Sequence, residues 1–369
     1  MRKRPSRIYI SATHQNDGKT VISLGLICAL KERFENIGFI KPVGQRYVFE
    51  KGQKVDEDAL LIRNVCQIKD NLKDMSPIAV ERGFTQKYIL RPRKKELAEK
   101  IRKSFRRICK DKDFVVIEGT GHAGVGAVFD LSNAEVAKML NSKVLVISSG
   151  GIGRPIDEIV LNKALFEKEK VKIAGVVINK VRADKYAKIS KLVRLGLRKK
   201  GLELLGVIPY QRLLPSPTIE QILKEGGFEL LERGSGLDKY VGRILVGAMA
   251  PHDALNYFSD KSLVITPGDR EDMILAVVGF QMDKLKEDIQ TSGIVLTGGL
   301  KPNPAIIDLV KNSGIPLLLS QEDTYTTASK IHDLIVKIEP QDKEKIKIVK
   351  ALVEKYIDID RLIKKVKAN

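Results

Sequence analysis

The chain has 369 residues, 43% of them hydrophobic, and its formal net charge is +19 at pH 7. This length suits two or three domains, and without a signal-peptide pattern or an apolar run of membrane-spanning length we expect a cytoplasmic protein with no membrane partner. The basic residues lie in helical runs mixed with Glu and without interleaved aromatic residues, as in 91–113, which disfavours a nucleic-acid partner.

The first two thirds of the chain alternates short apolar runs with amphipathic helices. The apolar runs are typical of strands buried on both faces of a parallel sheet. The alternation predicts an α/β domain with a doubly wound, mainly parallel sheet, in which ligands bind at the carboxyl ends of the strands. The predicted strands are Arg7–Ala12, Ile37–Val43, Phe114–Gly119, Lys143–Ser149, Ile173–Val181 and Leu204–Pro209, and the predicted helices lie near Lys19–Phe34, Glu57–Val65, Lys94–Cys109, Ala134–Leu140, Pro155–Phe166 and Asp184–Lys199.

A proline-rich stretch at Pro209–Thr218 interrupts this pattern and predicts a domain boundary after a first domain of residues 1–212. One helix and four more buried strands follow, which predicts a smaller α/β domain over residues 215–338. The last segment, 341–369, predicts one amphipathic helix that packs on the body of the protein or on a partner subunit.

The stretch THQNDGKT, residues 13–20, stands between the first strand and the first helix, the context of a phosphate-binding loop. Gly18 would let the backbone approach a phosphate, Lys19 would reach the β- and γ-phosphates, and the Thr20 hydroxyl would hold Mg²⁺. Thr13 occupies the position of the glycine that opens the common loop. The segment is therefore a nucleotide site with a changed entrance, or a strand and helix that happen to contain GKT.

Three charged positions favour the nucleotide site. Lys41 lies near the end of the second predicted strand, Asp58 lies at the start of an apolar helix, and Glu118 lies at the end of a buried strand. A carboxylate at a strand end is well placed to bind Mg²⁺ or a water on it. For Lys41 and Asp58 a solvated surface charge is an equally weighted alternative. Glu118 is more specific, because an acid directly after four apolar residues is costly unless it ends the strand or is paired.

The spacing of the cysteines indicates no disulfide or metal site. Cys28, Cys66 and Cys109 are scattered, and none forms a close pair along the chain. This spacing disfavours a disulfide framework or a zinc site and fits a reducing compartment.

The stretches ATHQNDGKT, KPV, DEDAL, VVIEGTG and VVINKV, in this order, resemble the dethiobiotin synthetase-like ATPases, relatives of the cobyrinic acid a,c-diamide synthases. That family has five residues between the two glycines of its loop, so Ala12 matches the first glycine. The resemblance implies ATP and Mg²⁺ as cofactors, Lys19 and Lys41 as catalytic residues, and Thr20, Asp58 and Glu118 around the metal. It also implies nucleotide contacts by Thr13, Asn16, Asp17, Gly18, Lys19, Thr20, Val21 and Asn179; Asn179 matches the residue that reads adenine, and its alternative role is a turn residue that caps a strand.

Two departures from that family affect the expected chemistry. Gln45 stands where the synthetases have a Ser in the substrate site, and His14 and Asn16 stand where their loop has acidic residues. We therefore expect the ATP half of the site to be retained and the substrate half to differ.

In the second domain, Asp269 and Arg270 follow one predicted strand, and Thr297, Gly298 and Gly299 follow another. The glycines favour either an anion site or a tight turn, and the residues alone slightly favour the turn. This domain resembles the DRTGG domain, and both domains together resemble the N-terminal half of long bacterial phosphotransacetylases. In those enzymes the acetyltransferase domain would follow near residue 340, so we expect no acetyltransferase activity from these residues.

Three functions remain for comparison. The favoured one is a homo-oligomeric nucleotide-sensing regulatory protein that binds Mg-ATP in the first domain and a nucleotide or small anionic metabolite in the second. The second is an ATP-dependent ligase that activates a substrate carboxylate by phosphorylation. The third, nucleic-acid binding, predicts an affinity that falls steeply with salt.

Overall fold

The structure is a computed structural model, and it describes residues 4–282, 290–334 and 336–367. The chain divides into two compact units. The first unit comprises residues 1–210 together with residues 338–369, and the second comprises residues 211–337. The C-terminal segment thus belongs to the first unit, although the whole second unit precedes it in the sequence.

The strands of the first unit contain between two and nine residues. In chain order they are β1 (Ser6–Ala12), β2 (Ile37–Ile40), β3 (Val43–Gly44), β4 (Tyr47–Glu50), β5 (Gln53–Asp56), β6 (Ile78–Ala79), β7 (Phe114–Glu118), β8 (Lys143–Ser149), β9 (Ile173–Val181) and β10 (Leu204–Pro209).

The helices between these strands are mostly amphipathic and connect the parallel strands. They are α1 (Lys19–Lys31), α2 (Glu57–Cys66), α3 (Leu72–Met75), α4 (Phe84–Leu90), α5 (Lys94–Ile108), α6 (Asn133–Met139), α7 (Gly153–Lys168) and α8 (Tyr186–Lys199), with 3₁₀ turns at Ala127–Phe129 and Ala183–Lys185.

Six of the strands form one parallel sheet in the order β2-β7-β1-β8-β9-β10. Most of the central strand residues are fully buried, which explains their continuous apolar sequences. The predicted doubly wound, mainly parallel fold is confirmed. The strand order reverses at β1, because β7 lies on one side of it and β8 on the other. The carboxyl end of β1 is therefore the position where such sheets bind ligands.

The second unit contains a smaller sheet, and its connecting helices separate parallel strands. Its elements are α9 (Ile219–Gly226), β11 (Glu229–Glu232), β12 (Arg243–Val246), α10 (Pro251–Ala254), a 3₁₀ turn at Leu255–Tyr257, β13 (Ser262–Pro267), α11 (Glu271–Met282), β14 (Thr291–Thr297), α12 (Pro304–Ser313), β15 (Leu317–Leu319) and α13 (Thr324–His332).

The sheet order is β11-β15-β14-β13-β12, and only the edge strand β11 is antiparallel to its neighbour among these pairs. Side chains of a strand alternate between its faces. Val264 accordingly packs with Met273 of α11, whereas Leu263 and Ile265 pack in a second cluster with Ile331 of α13. The second unit is thus an α/β layer structure with helices on both faces of its sheet.

The C-terminal segment forms two helices, α14 (Lys343–Tyr356) and α15 (Ile359–Lys367), rather than the single helix predicted over 341–369. The break occurs at Ile357, whose extended backbone forms a bridge with Gly206 of β10. α14 packs on α1, where Gly25 leaves space for Val353. α15 contacts β1, β9 and β10. Of the two predicted alternatives, packing on the protein body describes this segment.

Within the described residues, no helix has both the length and the apolar character that crossing a membrane requires.

Candidate functional site

The phosphate-loop segment lies between β1, which ends at Ala12, and α1, which begins at Lys19. Two of its residues have left-handed backbone, Asn16 with φ 65° and Gly18 with φ 96°. A Cβ atom at position 18 would lie 2.3 Å from the Nδ2 atom of Asn179, so this position requires glycine. The loop directs the first turn of α1 toward the carboxyl end of β1. Free amide N–H groups and the helix dipole favour an anion at such a position.

Asp17 stabilises the loop from inside. Its side chain is buried, and its Oδ2 accepts hydrogen bonds from the His14 amide at 2.7 Å and the Thr13 hydroxyl at 2.9 Å. Its Oδ1 accepts a hydrogen bond from the Ser149 hydroxyl at 2.6 Å. Asp17 therefore ties the loop to the end of β8. In this structure its carboxylate supports the loop, and direct contact with a nucleotide stays a prediction.

Asn179 also supports the loop, from the end of β9. Its Nδ2 donates to the Asp17 carbonyl at 2.8 Å, and its Oδ1 accepts from the Lys180 amide at 2.9 Å. Lys180 adds a further bond, because its Nζ donates to the Asn16 carbonyl at 2.6 Å. The predicted adenine contact of Asn179 remains a prediction. What the geometry describes is a buried amide that holds two backbone segments together.

Lys19, Thr20 and Val21 form the first turn of α1, and all three are half-buried. The Lys19 Nζ lies 3.4 Å from the His14 carbonyl, so the side chain folds back over the loop. Burial lowers the pKa of Lys19, although Glu118 opposes this effect. The Thr20 hydroxyl donates to Glu118 Oε1 at 3.1 Å. The loop lysine and threonine thus lie next to the acid that ends β7.

A cluster of one lysine and three carboxylates adjoins this turn. Lys41 directly follows β2 and Glu118 ends β7, and the two strands are neighbours with Ile40 opposite Ile117. The Lys41 Nζ contacts Asp58 Oδ2, lies 3.1 Å from Asp56 Oδ1 and lies 3.6 Å from Glu118 Oε1. All four side chains are buried. The parallel register of β2 and β7 is what brings Lys41 and Glu118 together.

The charges of this cluster depend on one another. Burial lowers the pKa of Lys41, but the charges of Asp58, Asp56 and Glu118 outweigh burial and hold this pKa well above its ordinary value. Burial raises the pKa of Glu118, and the Asp58 charge raises it further, while Lys41 opposes both. Lys41 is therefore a buried cation at neutral pH, kept charged by the acids around it.

The donor groups at this position fit a hard cation. Glu118 Oε2 is buried and accepts no hydrogen bond from the described residues. Mg²⁺ prefers oxygen ligands and usually binds one or two protein oxygens together with phosphate oxygens and water, which matches the adjacent Thr20 hydroxyl and Glu118 carboxylate. Asp58 binds Lys41 in this structure. No group of three or more His, Cys, Asp or Glu side chains in the described ranges could hold a metal without other ligands.

Several residues near the site were not predicted from the sequence. Asp56 is the most important, because it caps α2 by accepting a hydrogen bond from the Asp58 amide at 3.0 Å and also pairs with Lys41. The sequence signal that could have identified Asp56 is its position in the same acidic stretch as Asp58. His14 pairs with Glu158 of α7 at 2.8 Å, a contact that nothing in the sequence indicates.

The predicted site residues of the second unit, which follow β13 and β14, lie close together. β13 ends opposite the end of β14, with Pro267 paired to Thr297. A Cβ atom at Gly268 would lie 1.7 Å from the carbonyl oxygen of Leu300, so the two loops following these strands are in close contact. The structure therefore brings Asp269 and Arg270 next to the Thr297–Gly299 loop.

The backbone of the Thr297–Gly299 loop is left-handed at both glycines and bonded to the segment between β15 and α13. Gly298 and Gly299 have φ angles of 78° and 67°. Their amides donate to the carbonyls of Glu322 at 2.8 Å and Ser320 at 2.9 Å. Arg270 donates to Asp272 at 2.8 Å, and Asp269 is exposed. The two glycine amides thus already donate to backbone carbonyls of the segment that follows β15, and a ligand at this position stays a prediction.

Solved structures resemble parts of the chain only weakly. One is a putative plasmid partition protein (BB_S35) from Borrelia burgdorferi B31 bound to AMPPNP, with 13% identity and a TM-score of 0.39; the match covers 57% of this chain and 88% of that one. Another comprises the CBS and DRTGG domains of the regulatory region of Clostridium perfringens pyrophosphatase, complexed with diadenosine tetraphosphate, with 18% identity and a TM-score of 0.28; this match covers 44% of this chain and 81% of that one.

Sequence relatives match almost the whole chain. A phosphate acetyltransferase of Nitratidesulfovibrio vulgaris is 29% identical over an aligned length of 367, and the match covers 97% of this chain and 51% of the relative. The phosphate acetyltransferase of Synechocystis sp. PCC 6803 is 27% identical over an aligned length of 369, and the match again covers 97% of this chain and 51% of the relative. The chain therefore spans about half the length of the curated relatives that it matches.

Two family models divide the chain between them. The family described as an AAA domain matches residues 6–218, and the family described as a DRTGG domain matches residues 221–334. The first match covers more than half of the chain. The chain therefore belongs to the AAA-domain family, with a dethiobiotin synthetase-like P-loop domain followed by a DRTGG domain, and it is homologous to the N-terminal region of phosphotransacetylases.

Proposed function

We propose that the first unit binds Mg-ATP and that the protein is a nucleotide-sensing regulatory protein. The observation that carries this proposal is the convergence of Lys19, Thr20 and Glu118 at the carboxyl end of β1, where the strand order of the sheet reverses. The loop amides and the α1 dipole favour phosphate at the same position.

Each residue has a defined role in this proposal. The backbone of the loop and Lys19 hold the phosphates, and Val21 lies in the same turn of α1. Thr20 and Glu118 hold Mg²⁺. Asp58 pairs with Lys41 and acts on the metal site through the charge of that lysine. When bound, Mg²⁺ neutralises phosphate charge. Asp17 and Asn179 keep the loop in its binding conformation, and Thr13 and Asn16 complete it.

An ATP-dependent carboxylate ligase is the second candidate. The observation that favours it is Lys41, a buried lysine that its acidic neighbours keep charged beside the phosphate loop. Such a cation can stabilise negative charge that develops during phosphoryl transfer. The two candidates differ in turnover: a regulatory protein releases ADP slowly under all conditions, whereas a ligase releases ADP rapidly once its carboxylate substrate is present.

The proposal extends to a small anionic ligand in the second unit and to self-association of the chain. Asp269, Arg270 and the Thr297–Gly299 loop lie at the carboxyl ends of parallel strands, where α/β sheets bind ligands. Regulation requires that binding at one site changes the affinity at another, and an oligomer interface would provide that coupling.

Calorimetric titration of the full chain with ATP and excess Mg²⁺ tests the central proposal. Removing the Lys19 ammonium with Lys19→Ala deletes a charge-assisted hydrogen bond worth about 1.5–3 kcal/mol, so affinity should fall about tenfold or more. Lys31→Ala is the matched control, because Lys31 ends the same helix and lies away from the loop. An unchanged affinity in a folded Lys19→Ala protein would contradict the proposal.

A further inference from the structure

Two cysteines that are far apart in the sequence lie in contact in the fold. Cys28 is on α1 and Cys66 ends α2, and their Sγ atoms are 3.9 Å apart although 38 positions separate them in the chain. Both are free thiols. Cys66 is buried, whereas Cys28 is half-buried, so a small reagent in solution reaches Cys28 first.

The surroundings of the pair favour a thiolate at Cys28. The hydrogen bond with Cys66 and the charges of Lys350 in α14 and Lys31 in α1 together lower the pKa of Cys28 to about 7, while burial and the Glu32 charge oppose them. The hydrogen bond with Cys28 and the deep burial of the side chain raise the pKa of Cys66. The thiolate form is the reactive nucleophile, which makes Cys28 the reactive member of the pair.

We propose that Cys28 and Cys66 are a redox modification site, which closes to a reversible intramolecular disulfide when the protein meets a peroxide. The proposal rests on the contact between the two sulfur atoms and on the different exposure of the two thiols. It is independent of whether the first unit binds ATP.

The chemistry needs hydrogen peroxide as the only oxidant. The Cys28 thiolate attacks one peroxide oxygen, the O–O bond breaks, and the departing hydroxide takes a proton to become water. Cys28 is then a sulfenic acid. The Cys66 sulfur attacks the Cys28 sulfur, the S–O bond breaks, and hydroxide leaves with the Cys66 proton as a second water. Two thiols have then lost two electrons to one peroxide, and a small dithiol reverses the bond by exchange.

Closing the bond requires the two sulfur atoms to approach from 3.9 Å to about 2 Å, by rotation of the two side chains and movement of the helices that carry them. The bond would join the helix that begins at the phosphate loop to the helix whose first turn contains Asp58. The modification therefore crosslinks the two helices that border the candidate site.

The test is a count of free thiols in the purified full chain, before and after hydrogen peroxide. The chain has three cysteines, and we expect two thiols to disappear, with peptide mapping showing a Cys28–Cys66 link within one chain that dithiothreitol reverses. Cys109→Ser is the matched control and should also lose two thiols. Cys66→Ser should instead accumulate sulfenic acid at Cys28, detectable with a dimedone probe.

Three outcomes would overturn the proposal. One is the survival of all three thiols at a peroxide dose that oxidises free cysteine. The others are a disulfide that includes Cys109 and a disulfide that joins two chains. Serine closely matches cysteine in size, so we expect each serine variant to fold. A melting curve of each variant checks this. Lys350→Gln is a further variant, and its oxidation at pH 7 should be slower than that of the wild type, because it removes one of the charges that favour the thiolate.

Discussion

Replacing Lys41 with Met tests the buried acidic cluster. The Lys41 side chain is only 7% exposed, and its Nζ lies 3.1 Å from Asp56 and 3.6 Å from Glu118, in addition to its contact with Asp58. At an effective dielectric constant of about 20, one such pair has a Coulomb energy of about 5 kcal/mol, largely offset by the cost of removing both charges from water. Deleting one partner leaves the acids without their cation, which costs about 3–5 kcal/mol.

The measurement is urea unfolding of the full chain, followed by fluorescence of the tyrosines and by circular dichroism. We expect Lys41→Met to lower the free energy of unfolding of the first unit by about 3–5 kcal/mol. Lys54→Met is the matched control, since Lys54 pairs with Glu81 in an exposed position, and its midpoint should stay close to that of the wild type. The double variant Lys41→Met/Asp58→Asn should recover part of the loss, because it removes one of the buried negative charges. A loss below about 1 kcal/mol, or no recovery in the double variant, would refute the reasoning.

Two glycine substitutions test local packing, each by urea unfolding. Gly18→Ala forces a left-handed backbone on alanine and places its Cβ against Asn179, so we expect a loss of about 1–3 kcal/mol and weaker ATP binding; equal stability would show that the loop has a different conformation. Gly25→Ala should also destabilise by about 1–3 kcal/mol, because its Cβ would lie 2.3 Å from Val353 Cγ2. If α14 did not pack there, the same change would stabilise α1 by up to about 1 kcal/mol, so the sign of the stability change shows whether α14 packs on α1. Adding Val353→Ala to Gly25→Ala should relieve the strain.

The phosphate loop illustrates how far local sequence can predict a site. A buried strand, a GKT sequence and a helix follow one another within residues 6–31. The conformation of the loop between them therefore depends mainly on residues that are close together in the chain. Gly18 has a left-handed conformation with φ 96°, which glycine adopts without strain. Glu118 was also predictable, because a carboxylate after an apolar run has few acceptable positions other than a strand end.

The contacts of the same site illustrate the limit. The sequence predicted Lys41 and Asp58 singly, with a solvated charge as the alternative for each, and it overlooked Asp56. Their meeting around one buried Nζ depends on the pairing of β2 with β7 and on the packing of α2, which no local pattern encodes. The roles of Asp17 and Asn179 in holding the loop likewise depend on β8 lying beside β1 and on β9 lying beside β8.

By itself, the sequence of this protein determined the α/β class, the parallel strands and the place of the phosphate loop, because apolar periodicity and glycine conformation act over a few residues. Only the tertiary structure decided that the C-terminal helices belong to the first unit, although the second unit precedes them in the sequence, and that Cys28 contacts Cys66. Both depend on contacts between residues distant in the chain. Such contacts are selected by the shape and burial of the entire core, so spacing along the sequence does not reveal them.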